Sequence, residues 1–123
     1  MGFFSKIGDD YAIVIGNATN VVSKTVGSKN TPISTFSVQY GYDKESETNL
    51  YLNCTAWKDL SSKYLNRLDR GDTILCIGKL EKDEYWSERN HKDEFRMIVE
   101  FAQVQTQFED TFEDSDDFDL GKL

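Results

Sequence analysis

The chain has 123 residues, 38% of them hydrophobic and 13% aromatic, and a formal net charge of −8. That is one domain's worth of chain with enough apolar surface to offset the entropy of ordering it, which excludes collagen-like and wholly disordered chains. The charge is uneven: residues 1–107 hold 13 lysines and arginines against 15 acids, a net −2, while residues 108–123 hold one base and seven acids, a net −6.

The opening MGFFSKIGDD is interrupted by Ser5 and Lys6 and closed by Asp9 and Asp10, so it lacks the apolar centre of a signal peptide. Gly2 is not followed by the Ser or Thr that myristoylation requires, because that position is Lys6. No run approaches the ~20 apolar residues of a membrane span. The expectation is a cytoplasmic chain without a membrane partner. Cys54 and Cys76 form no CxxC, and with His91 as the one histidine they cannot build the usual four-ligand zinc site. Both fall in alternating segments, which predicts reduced thiols filling a core, no metal and no other cofactor.

In chain order, Tyr11–Asn17 is a β-branched run that predicts a first strand continuing to Val22, with Gly16 marking a bend. The cluster Gly27–Pro32 predicts a turn. Ile33–Tyr42 alternates, with Phe36, Val38 and Tyr40 on one face and Ser37 and Gln39 on the other; Asp43–Asn49 is a polar loop. Leu50–Trp57 alternates again: Leu52, Cys54 and Ala56 face one way and Tyr51, Asn53, Thr55 and Trp57 the other. The period then changes, since Trp57, Leu60, Tyr64, Leu65 and Leu68 follow a helix face that Gly71 can stop. Thr73–Leu80 predicts the fourth strand, followed by a polar ribbon through Trp86 and an exposed hairpin tip at Ser87–Glu94. Phe95–Val104 is the last strand, with Phe95, Met97, Val99 and Phe101 alternating along it. Five strands with one short helix between the third and fourth predict an all-β, Greek-key OB-fold barrel over residues 1–107, with a disordered acidic tail over 108–123. An immunoglobulin-like sandwich would need about seven strands and no helix.

Because Leu52, Cys54 and Ala56 supply the core face of the third strand, Tyr51 and Trp57 should point outward, and large exposed rings on a sheet need a reason. Tyr40, Tyr42, Tyr85 and Trp86 add rings at neighbouring strand ends. Lys58, Arg70, Lys79 and Lys82 lie close to them in sequence. Rings that stack on bases, interleaved with cations that follow phosphates, are what a single-stranded nucleic acid requires. If Arg70, Lys79 and Lys82 do not form the basic stripe, Lys24, Lys29 and Arg96 are the remaining candidates.

The segments IVIGN, ISTFSVQ, LNCTAWKDLSSKYLNRLDRGDTILCIGKLEK and IVEFAQV resemble, in order, the bacterial and phage single-stranded DNA-binding proteins, over roughly residues 10–105. The most specific stretch runs from the ring after the third strand, through the helix end, to the strand with a Gly-x-Leu. The resemblance implies an OB-fold that coats single-stranded DNA during replication, recombination and repair, usually as a homotetramer, with a homodimer as the alternative. It assigns stacking to Tyr51, Trp57 and Tyr85 with Trp86 beside it, and a phosphate contact to Arg70. Where the family carries a further ring this chain has Lys44, so Tyr40 and Tyr42 are taken in its place. The family's acidic tail recruits replication and recombination proteins; here Asp116, Asp117, Phe118, Asp119, Leu120 and Leu123 would do so. The ending FDLGKL departs from the family's acidic-Pro-Phe tip, and the family's long linker is missing, a compact plan that looks phage-encoded. The rival reading is an OB-fold adaptor of the primosome type that works through protein contacts. An enzyme is disfavoured, because His91 has no evident orienting partner and the glycines form no phosphate loop.

Overall fold

The computed structural model describes residues 2–105. The tail and its boundary with the barrel lie outside the described residues. Six strands form one sheet: β1 (Phe3–Ile7), β2 (Tyr11–Val26), β3 (Thr31–Asp43), β4 (Thr48–Trp57), β5 (Thr73–Lys82) and β6 (Phe95–Val104). Their order is β1-β2-β3-β4-β6-β5, and β5 returns to pair with β2, so β2 to β6 close into the expected five-stranded barrel. Closure runs through a short parallel ladder, Asn53↔Arg96 to Thr55↔Ile98, between β4 and β6. Closure demands close backbone approach at two glycines. A Cβ on Gly16 would collide with the carbonyl of Gln39, and one on Gly78 with that of Ile98, so neither position admits a side chain.

The inward-facing residues are the ones that alternation selects on β2 to β5 and on the first half of β6. Val14, Phe36, Val38, Leu52, Ile74 and Met97 are all buried, with Leu65 and Leu68 closing one end. Cys54 and Cys76 are both free thiols in this core. A hydrogen bond with Cys76, reinforced by burial, pushes the Cys54 thiol well above its ordinary pKa and keeps it protonated.

Four local features differ from the sequence expectation. β1 is an added strand, antiparallel to β2 from Phe3↔Ile15 to Ile7↔Tyr11 and turned by Gly8 at φ +67°. The predicted helix beyond Trp57 shrinks to one wide turn, Leu60–Tyr64, closed by the Leu65 N–H on the Leu60 carbonyl (3.1 Å). Its buried Ser61 hydroxyl bonds to Ser34 (2.6 Å), which meets Ser23 (2.9 Å), and this polar chain pins the turn to the barrel while Tyr64 stays exposed. The predicted ribbon and hairpin tip instead hold a helix, α1 (Glu84–Asn90). Asp83 caps its N-terminus by accepting from the Trp86 N–H, and His91 ends it in the left-handed region. On β6, Met97 and Val99 are buried but Phe95 and Phe101 are exposed. The pairing with β5 slips between Val99 and Phe101, and that extra residue turns Phe101 outward, whereas Phe95, before the slip, lines a recess beside Trp86 at the start of the strand. Among the described residues no helix is long and apolar enough to cross a membrane.

Candidate nucleic-acid interface

The outer face of β4 floors a groove made of three adjoining recesses. The first lies between Tyr51 and Trp86 and has Asn53 and Phe95 on its walls. The second shares Asn53 and Trp86 with it and adds Thr35, Thr55 and Arg96. The third shares Thr35, Thr55 and Arg96, adds Ile33 and Ile98, and ends at Trp57. Cross-strand register explains this continuity. Ser37, Asn53, Arg96 and Glu81 form one row across β3, β4, β6 and β5, while Thr35, Thr55, Ile98 and Lys79 form the next. Side chains two residues apart share a face, so one strand's outward set becomes the wall of a channel.

The rings at the two ends are held differently. Tyr51 is 49% exposed, and its hydroxyl takes a hydrogen bond from Asn49 (3.3 Å), whose carbonyl is fixed by Gln39 (3.0 Å). Trp86 is 43% exposed and is buttressed edge-on by Tyr85 at 5.1 Å. Arg89 lies over both of these rings, and its guanidinium donates to the Tyr85 hydroxyl (3.0 Å). The Ser87 hydroxyl accepts from the Glu94 N–H (2.7 Å) and donates to its carbonyl (3.2 Å), which clamps α1 onto the start of β6. Trp57, 41% exposed, stands at the last residue of β4, directly before Lys58 at φ +56°.

Thus Tyr51, Trp57 and Trp86 come together on one groove, and Tyr85 supports it from behind. Tyr42 is exposed at the end of β3. Tyr40 is drawn into packing: its ring lies 5.1 Å from that of Phe4, and burial, aided by the charge of Glu94, raises its hydroxyl pKa. Of the predicted cations, Lys79 sits beside Ile98 on the next strand and Lys58 beyond Trp57. Arg70 occupies the loop whose Gly71 bonds to Ala18, and Lys82 lies on the other side of α1 near Glu84 and Asp93. Neither lines the groove. Among the described residues Arg96 is the one cation lining these three recesses, ion-paired with Glu81 at 3.7 Å. Sequence reasoning ranked it second because Arg96 is far from Trp57 along the chain; the signal was its place opposite Met97 on an alternating strand.

A closed five-stranded barrel with a parallel β4–β6 pair, a helical turn before β5 and a ring-lined outer face defines an OB-fold protein. In OB-folds this face and the loop carrying α1 are where oligonucleotides and oligosaccharides bind. The model of the single-strand binding protein family matches residues 10–107, and the chain belongs to that family. Solved structures with the same fold include a deletion mutant of the single-stranded DNA binding protein from Thermus aquaticus, at TM-score 0.59 and 20% identity, covering 78% of this chain and 40% of that one. The second single-stranded DNA binding protein from Mycobacterium smegmatis gives TM-score 0.58 and 19% identity, covering 79% and 89%. The SSB domain of a Synechococcus protein gives TM-score 0.58 and 12% identity, covering 80% and 99%. This chain therefore spans less than half the length of the Thermus aquaticus protein. No curated protein matches the sequence.

Proposed function

We propose that this chain binds single-stranded DNA along the β4 groove without strong sequence preference, keeping it unpaired during replication, recombination and repair, and performs no chemistry on it. The observation that carries this reading is the alignment of Tyr51, Trp86 and Trp57 along one open channel with Arg96 between the ends. Each base presents a π-face to such rings and the arginine meets a phosphate, whereas a duplex keeps its bases stacked out of reach. Family membership supports the same conclusion. Both tryptophans of the chain line the groove, so binding of oligo-dT should quench tryptophan emission. Equal affinity for a blunt duplex of the same length would defeat the reading.

Two further parts of the proposal rest on less local features. The protein assembles as a homotetramer or homodimer, supported by β1, whose outer edge pairs with no strand among the described residues and whose Phe3 and Ile7 are exposed. Mass measurement in solution, with and without long oligo-dT, tests it. Residues 108–123, at net −6, act as a docking peptide for replication and recombination proteins in the cytoplasm of the bacterium or infected host. The tail also competes with DNA for the groove, so a protein ending at residue 107 should bind oligo-dT modestly tighter, most at low salt. Identical affinities at both ionic strengths, with identical capture of host replication proteins, would leave the tail a solubilising role only.

A further inference from the structure

Helix α1 sorts its side chains by charge. Glu84, Glu88 and His91 share a recess on one side of it with Lys82, Lys92 and Asp93, and there Lys82 meets Glu84 (4.0 Å) and Asp93 (3.6 Å). Trp86 and Asn90, four residues apart, turn the other way and line the recess opposite Tyr51. Tyr85 and Arg89, also four apart, occupy the neighbouring stripe of the helix, and both are exposed. The acids of the helix and its one arginine therefore lie on different sides.

Arg89 is held by rings rather than by an acid. Its guanidinium carbon lies 5.5 Å from the centre of the Tyr85 ring and 5.8 Å from that of Trp86, and it donates one N–H to the Tyr85 hydroxyl (3.0 Å). Among the described residues no carboxylate stands within 4.0 Å of it. Arg96 is the opposite case: Glu81 faces it at 3.7 Å, so a phosphate arriving there has to compete with a carboxylate. A guanidinium carries five N–H donors and a permanent charge. Rings orient such a group without neutralising it. Arg89 thus offers a charge fixed in place, with most of its donors still to be used.

Resting on the single-strand reading above, we propose that Arg89 is the phosphate anchor at the Trp86 end of the groove, with Tyr85 as the positioning residue that aims it. A base entering the first recess meets Trp86 from the Tyr51 side. Its phosphate lies only a sugar's width from the base, within reach of a guanidinium 5.8 Å from the same ring. Trp86 and Arg89 then hold one nucleotide by two different parts, the π-face of the base and the charge of the backbone. Arg96 supplies the corresponding backbone contact further along the groove, towards Trp57.

The test follows labelled oligo-dT by fluorescence anisotropy across a salt series, on the full chain and on Arg89→Gln, Arg89→Lys and Lys82→Gln. All three positions are exposed and none is part of the Asp83 cap or the Ser87 clamp, so α1 is retained. Arg89→Gln should weaken binding roughly tenfold at low salt and lower the log–log slope by about 0.7, the share of one phosphate of a single strand. Arg89→Lys should keep the slope, because the charge stays, and lose part of the affinity with the guanidinium fork. Lys82→Gln, on the far side of α1, should leave the slope as it is. A slope that survives Arg89→Gln makes the arginine a prop for Trp86 and overturns the anchor. Equal flattening by Lys82→Gln overturns it too, since general charge would then account for the effect. Both results leave single-strand binding intact, whereas failure of the unaltered chain to bind oligo-dT overturns the single-strand reading itself.

Discussion

The two faces of β4 are built from the same ten residues and do opposite work. Leu52, Cys54 and Ala56 are buried and hold the barrel together; Tyr51, Asn53, Thr55 and Trp57 line a channel and leave large rings in contact with solvent. Alternation with a period of two separates stability from recognition along a single strand, so the two can be changed independently. Burial removes apolar surface from water on one side, whereas the rings on the other stay wet until a base covers them.

The sharpest way to break the comparison is on the inner face. Leu52→Ala should cost about 2–5 kcal/mol of stability in a denaturant titration, the usual cost of truncating a buried leucine. Binding of oligo-dT per folded molecule should stay unchanged. On the outer face the signs reverse. Trp57→Ala and Tyr51→Ala should each weaken oligo-dT binding by about 1–3 kcal/mol, one base-aromatic stack apiece, and shift stability by no more than about 0.5 kcal/mol. If either variant melts early and binds normally once folded, that ring belongs to packing or to a subunit interface.

A fourth substitution probes how the groove's far wall is held. Ser87→Ala removes both hydrogen bonds to Glu94 and should cost about 1–2 kcal/mol, with hydrogen exchange at the Glu94 amide accelerating before the core amides do. The smallest effect concerns charge. With Arg96 the one cation lining the groove recesses among the described residues, the salt dependence of binding should be shallow, and Arg96→Gln should reduce the log–log slope by about 0.7, one phosphate of a single strand. An unchanged slope would move the phosphate contact to Lys58 or Lys79.

Much of this was legible along the chain. Tyr51 and Trp57 could be placed on an outer face because Leu52, Cys54 and Ala56 already accounted for the inner one. The number of strands and the break in period after Trp57 sufficed for the barrel. Helix α1 had its signals in plain view, an Asp before a Glu at the start and an Arg in the last turn, but seven residues are too few for periodicity to outweigh a reading as a hairpin tip. Phe101 was misplaced because a one-residue slip in pairing leaves no mark on a single strand's pattern.

Sequence by itself determined which residues face in or out over most of each strand, since that depends only on neighbours two positions away. It also determined the buried thiols and the uneven charge. Tertiary structure alone decided which strands lie side by side, and with that which outward residues share a surface. Arg96 meets Asn53 and Glu81 because β6 pairs in parallel with β4 and antiparallel with β5, contacts that span tens of residues. It likewise drew Tyr40 against Phe4, and it set Trp86 opposite Tyr51 by folding α1 over the channel. Long-range register is fixed by closing the barrel around one core, and no local pattern carries that information.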